Sequence, residues 1–332
     1  MTEIGHLTVG VLARDGMPHL QMCLQSLPAL ADCAEDVEFI LVDSASSDGT
    51  LEAMCAFASH EVRARVFAMK GVVNQSATRN VILDHARAGA VLLIDGDVAI
   101  SRDFVTAALA EISGGNAEIV HGQLPEIWHT SAHDAYADGG DRYQISRRHY
   151  THYFMGNVLL GPAVLASGCR YDEQMRRFED VEFSIRISER FRILALPIPL
   201  GTHYTIQYHS PYRIDAFYKD AYLRPAGRFI RINLRRPWRL WWSRMIFVGH
   251  LIGLAEQLCL LLAVVSLNPV ALAIVAAVIG IDVMRFAIKG RMHQFVPIRV
   301  RGPWQIVSGV FMERPLHLAY EAVEISRGSQ TA

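Results

Sequence analysis

The sequence predicts an α/β fold with a mostly parallel central sheet, followed by a helical, membrane-associated C-terminal region. Three observations carry this. Short β-type runs alternate with helical patterns from His6 to His121, carboxylates recur at the ends of those runs, and composition changes sharply near Arg231. Strand and helix in regular alternation describe a sheet covered on both faces.

Taken in order, the strands read from the sequence are Leu7 to Ala13, Val37 to Asp43, Arg63 to Met69, Ala90 to Asp95 and Ala117 to Gln123. Helical patterns lie between them, near His19 to Leu30, Thr50 to Ser59, Gln75 to Arg87 and Arg102 to Ile112. Sheets of this kind collect ligands at the carboxyl ends of their strands. Polar residues fall there: Arg14 and Asp15 after the first strand, Asp43 ending the second, Asp95 and Asp97 at the end of the fourth. The stretch from Ile127 to His149 is polar and irregular, with Asp138-Gly139-Gly140-Asp141 at its middle, and reads either as an active-site loop or as a mobile insertion. An apolar segment, Tyr153 to Leu165, follows. Then Phe178-Glu179-Asp180-Val181-Glu182 opens a helix to Arg190, and a strand at Arg192 to Leu196 leads to His203.

The charge is asymmetric. Residues 1–203 carry 16 basic against 26 acidic side chains, and residues 204–332 carry 16 against 7. A basic tail can serve nucleic acid, but here the cations flank long apolar runs, which points to anionic lipid headgroups and away from nucleic acid. The cysteines, Cys23, Cys33, Cys55, Cys169 and Cys259, are scattered without CxxC spacing, which argues against structural zinc and a disulfide framework. The start, MTEIGHLTVGV, has an early acid and no apolar core behind a basic region, so a secretory leader is not expected and the front domain is placed in the cytoplasm.

In the tail, Arg235-Arg236-Pro237-Trp238-Arg239-Leu240-Trp241-Trp242-Ser243-Arg244 pairs Arg with Trp, as membrane interfaces do. Two apolar runs follow, Met245 to Leu267 and Val270 to Ile288, separated by Asn268-Pro269. Each is long enough to span, since about 20 helical residues suffice. Cations precede the first run and follow the second (Arg285, Lys289, Arg291), which by the positive-inside rule describes a hairpin with both ends cytoplasmic. His250, Glu256 and Gln257 interrupt the first run. Asp282 and Arg285 interrupt the second, at a spacing that allows them to pair. A spanning hairpin, a re-entrant one and a buried helical pair all fit this pattern. The stretch Pro297 to Arg327 carries Trp304 and several Arg and reads as surface-lying.

Val91-Leu92-Leu93-Ile94-Asp95-Gly96-Asp97 delivers two carboxylates to an exposed strand end, with Gly96 letting backbone approach a ligand. Hard oxygens so placed suit Mg2+ or Mn2+ that also holds phosphate oxygens, although Asp-Gly is equally an ordinary turn. Asp43, ending its strand, can accept from a base, whereas Asp48 suits the capping of the helix near Thr50.

Together these segments resemble the family 2 glycosyltransferases of the GT-A fold, over about Leu7 to His203. The resemblance rests on five motifs in order: Val42-Asp43-Ser44-Ala45-Ser46-Ser47-Asp48-Gly49-Thr50, Thr78-Arg79-Asn80, Asp95-Gly96-Asp97, Gly168-Cys169-Arg170-Tyr171-Asp172-Glu173 and Glu179-Asp180. It implies a GT-A-like nucleotide-binding sandwich over residues 1–210, then a basic, Trp-rich interfacial linker at 211–244, an apolar helical hairpin at 245–290 and an amphipathic segment at 291–332. The family pattern further implies that Asp43 binds the nucleotide base and that Arg79 lies near the diphosphate. Asp95 contacts ribose or metal, and Asp97 ligates the metal. Gly96 and Asn157 lie beside the donor, and Arg14 is an additional donor contact on a strand end that departs from the family's usual segment. His203, with His209 as a second candidate, stands where the family often has a histidine near diphosphate and metal, and with Asp97 and Asp95 is an expected metal ligand. Asp180 is the expected general base, taking the acceptor hydroxyl's proton during inverting attack, and Glu179 is expected to position the acceptor. Both acids equally suit the first turn of a helix.

No QxxRW follows the Glu179-Asp180 helix, which argues for transfer of one sugar rather than polymer extrusion. The partners so implied are a nucleotide-sugar donor, UDP-sugar favoured, a lipid-linked acceptor and membrane lipid. Two rivals remain at this level. A metal-dependent nucleotidyltransferase also needs strand-end carboxylates, although Gly10-Val11-Leu12-Ala13-Arg14-Asp15-Gly16 fits its phosphate loop poorly. A membrane-anchored binding protein without turnover is the other.

Overall fold

The fold is that of a computed structural model, which describes residues 4–60, 63–71, 73–130, 136–207, 210, 214, 223–312, 314 and 318–325. The chain divides into two compact units, Met1–Thr205 with Leu316–Ala332, and Ile206–Pro315.

The first unit is built on a nine-stranded sheet. Its strands are β1 (His6–Ala13), β2 (Asp36–Asp43), β3 (Ala64–Gly71), β4 (Ala90–Asp95), β6 (Ile119–Gln123), β9 (His149–Thr151), β10 (Val158–Leu160), β11 (Ile193–Pro199) and β13 (Tyr320–Ile325), in the order β13-β3-β2-β1-β4-β10-β6-β11-β9. The block β3-β2-β1-β4 is parallel, as alternation with helices predicts. Beyond it the sheet is mixed, because β10 runs antiparallel to both β4 and β6 and β9 runs antiparallel to β11.

Alternate residues of each strand enter opposite cores. Leu7, Val9, Val11, Phe39, Leu41, Leu92 and Ile94 pack on one face with α1 (Leu20–Ser26), α2 (Thr50–His60) and α4 (Arg102–Ser113). Leu12, Ile40, Val42, Val91 and Leu93 pack on the other with α3 (Gln75–His85) and α6 (Glu179–Ile187). Burial on both faces explains the near-continuous apolar runs of these strands. Helix α3 lies close because Gly10 has no side chain; a Cβ there would stand 2.2 Å from Ile82.

Residues 127–149 are not simply a loop. β7 (Pro125–His129) and β8 (Tyr136–Asp141) pair as a hairpin and join β5 (Val98–Ile100) and β12 (Gly201–Ile206) in a four-stranded sheet, order β5-β12-β7-β8. Its glycines hide the strand signal: the Trp128 ring lies on Gly139, where a Cβ would meet Nε1 at 2.4 Å. The tail also departs from one amphipathic segment over 291–332. Tyr320–Ile325 pairs antiparallel with β3 and covers that edge, against which a Cβ on Gly71 would strike the Ala319 carbonyl.

The second unit is helical: Arg224–Asn233, Pro237–Val265, Pro269–Ile288, Met292–Phe295 and Gly302–Met312, with a π-helical turn at Val296–Arg301. Two of its segments, Phe247–Val265 and Pro269–Ile288, are long and apolar enough to cross a membrane. Asn268 accepts from the Val270 and Ala271 N–H groups and so caps the second of these helices, with Pro269 in the first turn where no N–H partner is needed. The expected Asp282–Arg285 pair does not form. Asp282 is buried against Arg299, which a chain reversal after Ile288 brings back alongside it.

Candidate active site

The candidate residues converge at the carboxyl ends of β1, β2 and β4. Asp43 closes β2, opposite Ala13, and is 2% exposed; its Oδ2 accepts the Ser46 N–H, while Oδ1 is buried without a partner among the described residues. The turn behind it is tied down by Asp48, whose Oδ1 accepts from the Thr50 N–H and hydroxyl and whose Oδ2 accepts from the Met17 N–H. Asp48 thus caps α2, the role its position suggests. Gly96 donates to the Leu12 carbonyl, and a Cβ on it would lie 2.7 Å from that of Ala13, so only glycine lets the strand end turn here.

Arg79 is fully enclosed. Its Nη2 donates to Asp95 Oδ1 at 3.0 Å, its Nη1 donates to Glu179 Oε1 at 2.8 Å, and its guanidinium lies 5.4 Å from the centroid of the Tyr171 ring. One side chain therefore binds the strand-end acid to the helix carrying Asp180. Asn80, next to it, donates to Glu173 Oε1 and to the Tyr171 carbonyl and accepts the Tyr171 N–H, which fixes the Gly168–Glu173 segment under the site. Glu179, expected beside the acceptor, is turned inward and buried. Burial first, and the Asp180 charge second, raise its carboxyl to about 7 in spite of Arg79.

Asp180 stands at the mouth of α6, where Phe178 adopts a left-handed backbone (φ 62°), a strained conformation of the kind that collects at functional sites. Its Oδ2 accepts the Gly156 N–H at 3.0 Å and its Oδ1 the Val181 N–H at 2.7 Å. Asn157, the next residue, accepts the Asp95 N–H at 2.7 Å. The two-residue step Gly156-Asn157 therefore touches both Asp180 and the backbone of Asp95. Gly156 has a φ of +70°, and a Cβ on it would come within 2.9 Å of Asp95 Oδ2.

Asp97 faces His203. The His203 Nε2 lies 3.2 Å from Asp97 Oδ2 and its Nδ1 3.2 Å from Glu126 Oε1. Burial opposes the charge on this ring, but Asp97 and Glu126 override it and push His203 up to about 9, so that both nitrogens donate. Asp97 in turn is held below the usual carboxylate range: burial would raise it, and the His203 charge and hydrogen bond outweigh that. Burial dominates at Asp95 and raises it, in spite of Arg79. Asp97 Oδ1 is a buried acceptor with no partner among the described residues. Arg14 stays on the exposed turn after β1, 3.9 Å from Asp15, and His209 lies outside the described residues. Sequence reasoning missed Glu126, which also accepts from Trp128 Nε1. An acid in the unrecognised β7 strand gave no local motif to find it by.

Among the described residues no three His, Cys, Asp or Glu side chains form a ready metal cage. The donor set present, unpartnered Asp97 Oδ1 with Asp95 beside it, fits a hard cation that takes one or two protein carboxylates and completes its shell with phosphate oxygens.

An α/β sandwich with carboxylates gathered at its strand ends has the architecture of the GT-A glycosyltransferases. The model of the family described as glycosyl transferase family 2 matches residues 11–175, and with the fold it supports a family 2 glycosyltransferase. Similar solved structures include S. aureus TarS 1-349, at 16% identity and TM-score 0.51 over 76% of each chain. The same fragment in complex with UDP-GlcNAc matches at 16% identity and TM-score 0.51, over 69% of this chain and 73% of that one. Full TarS matches at 16% identity and TM-score 0.51, over 76% of this chain and 46% of that one. No curated protein matches.

Proposed function

We propose that the enzyme transfers one sugar, with inversion, from a nucleotide-diphosphate sugar to the hydroxyl of a lipid-linked acceptor, in cell-envelope glycan or glycolipid synthesis. The observation that carries the reading is the Gly156-Asn157 step, which touches Asp180 on one side and Asp95 on the other. Asp43, with its unpartnered buried oxygen, suits a donor N–H of the base. UDP is the favoured nucleotide, in keeping with the TarS fragment in complex with UDP-GlcNAc.

In this reading Asp180 takes the acceptor proton as the acceptor oxygen attacks the anomeric carbon, and the bond from that carbon to the diphosphate oxygen breaks. Hydrogen bonds from the Gly156 and Val181 N–H groups aim the carboxylate. Mg2+ or Mn2+, when bound, would be held by Asp97 and Asp95 and would neutralise charge on the departing diphosphate. His203 acts through Asp97, fixing its orientation from behind with Glu126. Glu179 acts through Arg79, which it holds against Asp95.

The exposed apolar faces of the two long helices and the Arg-Trp segment before them support association with the cytoplasmic face of a membrane, where a lipid-linked acceptor is found. The Asp180→Asn variant tests the chemistry: it is expected to abolish transfer and to keep donor binding by calorimetry. Unchanged turnover would remove Asp180 as the base. Equal transfer to a water-soluble acceptor and to lipid extract would remove the lipid acceptor.

A further inference from the structure

The apolar hairpin has a polar seam part-way along it, and the seam is covered by the chain's own return segment. On the first arm, His250 Nδ1 donates to the Ile298 carbonyl at 2.9 Å and Gln257 Nε2 donates to the Arg299 carbonyl at 2.8 Å. Between them Gly253 admits that backbone directly, since a Cβ there would lie 2.4 Å from the Arg299 carbonyl oxygen. On the second arm Asp282 receives both Nε and Nη2 of Arg299, whose Nη1 turns to the Gly249 carbonyl. Trp304 Nε1 donates to Gln257 Oε1 at 2.7 Å, while half of its surface stays exposed.

The return segment cannot lie deep in hydrocarbon. Arg301 and Arg285 are exposed at the level of this seam, and an exposed guanidinium in the bilayer core is costly. The same level carries the cationic helix Arg224–Asn233. It crosses Gly302–Met312 where Gly227 meets Gly309, Arg231 donates to the Val310 carbonyl, and Leu223 donates to Gln305. Interfacial Trp and Arg thus mark a waterline at about His250 to Gln257 on one arm and Asp282 on the other.

Beyond that line the hairpin is short and uncharged. Leu258 to Ile281 contains no charged residue. Leu258 to Leu267 rises about 15 Å and Val270 to Ile281 about 18 Å at 1.5 Å per residue, which matches half of a hydrocarbon core roughly 30 Å thick. The apolar tip is itself exposed: Leu267 is 86% exposed and Val265 71%. Two of its N–H groups are capped by Asn268, and Ser266 donates to the Ala263 carbonyl. Such capping is ordinary in water and obligatory in hydrocarbon, so the tip is compatible with a place inside the bilayer.

We propose that the hairpin enters one leaflet only and ends near the bilayer midplane, with the Asp282–Arg299 seam at the headgroup level. This rests on the membrane-association reading above.

The full chain carrying Leu267→Cys is added to sealed vesicles of phosphatidylethanolamine and phosphatidylglycerol. A polar maleimide is supplied either outside or trapped within, and peptide mass spectrometry reads occupancy at position 267. Val270→Cys serves as a second position, so that the result does not hang on one variant. The expected result is co-flotation with vesicles and loss of labelling from both sides, restored in detergent. Labelling by the trapped reagent overturns the proposal in favour of a crossing hairpin. Labelling from outside by floated protein overturns it in favour of surface attachment without insertion. Failure to float overturns the membrane reading and this depth together.

Discussion

Arg79→Met removes the cation between two buried acids. In the parent, Arg79 is 2% exposed and gives Nη1 to Glu179 and Nη2 to Asp95, so the variant leaves a buried Glu179 and a partly exposed Asp95 without their shared cation. Removing one partner of a buried ion pair costs about 3–5 kcal/mol. For a unit of this size each kcal/mol lowers Tm by roughly 2–4 °C, which gives a fall of roughly 6–20 °C. The loss also depends on pH. Glu179 titrates at about 7 even with Arg79 beside it, against 4.5 for an ordinary glutamate. Without Arg79 its folded value rises further, so the folded state holds a proton that the unfolded state releases, and stability falls as pH rises through this range. The variant should therefore melt closer to the parent near pH 6 than near pH 8.5. Adding Glu179→Gln should restore part of the loss by removing one uncompensated charge. Thermal melts of the full chain in detergent at both pH values test this. A variant within about 2 °C of the parent, or a loss independent of pH, would refute the claim that Arg79 neutralises both acids.

Gly156→Ala places a Cβ 2.9 Å from Asp95 Oδ2 at a φ of +70°; strain of about 1–3 kcal/mol and a fall in kcat are expected, and an unchanged kcat would count against the Gly156-Asn157 step. Asp97→Asn should raise the Mg2+ or Mn2+ concentration needed for half-maximal transfer at least about tenfold, measured by metal titration after chelation. His121 is buried with neither ring nitrogen partnered among the described residues, and burial, with the His149 charge second, lowers it from 6.5 to about 4. Its contribution to stability is fully present above about pH 6.5 and is lost as pH falls toward 4, because the unfolded chain takes the proton first. His121→Phe should flatten the decline in Tm between those values, and an equal decline in both proteins would exclude His121 as its source.

The parallel half of the sheet was legible because its signals are local. β1, β2 and β4 are apolar on both faces, and β2 and β4 end on acids, so period, length and strand-end chemistry agree within a few residues. The five ordered motifs marked Asp43, Arg79, Asp95, Asp97 and Asp180 for the same reason. What escaped was set by partners distant in sequence. The β7–β8 hairpin reads as loop because Gly139 and Gly140 carry no side chains, and only Trp128 packing across them makes a strand. β13 exists as a strand because β3 offers an unpaired edge some 250 residues earlier.

The site shows the same division. The residue types and their order along the chain were present in the sequence, since metal-binding and proton-accepting chemistry each require a carboxylate. Their orientation was not. Glu179 and Asp180 are neighbours in one helical turn, yet the left-handed Phe178 before them sends one inward to Arg79 and the other to the Gly156 N–H. Likewise the sequence supplied apolar runs interrupted by His250, Gln257 and Asp282, and offered Arg285 as the partner for Asp282 on spacing alone. Arg299 holds that place because the chain folds back along the hairpin, which no helical period can announce.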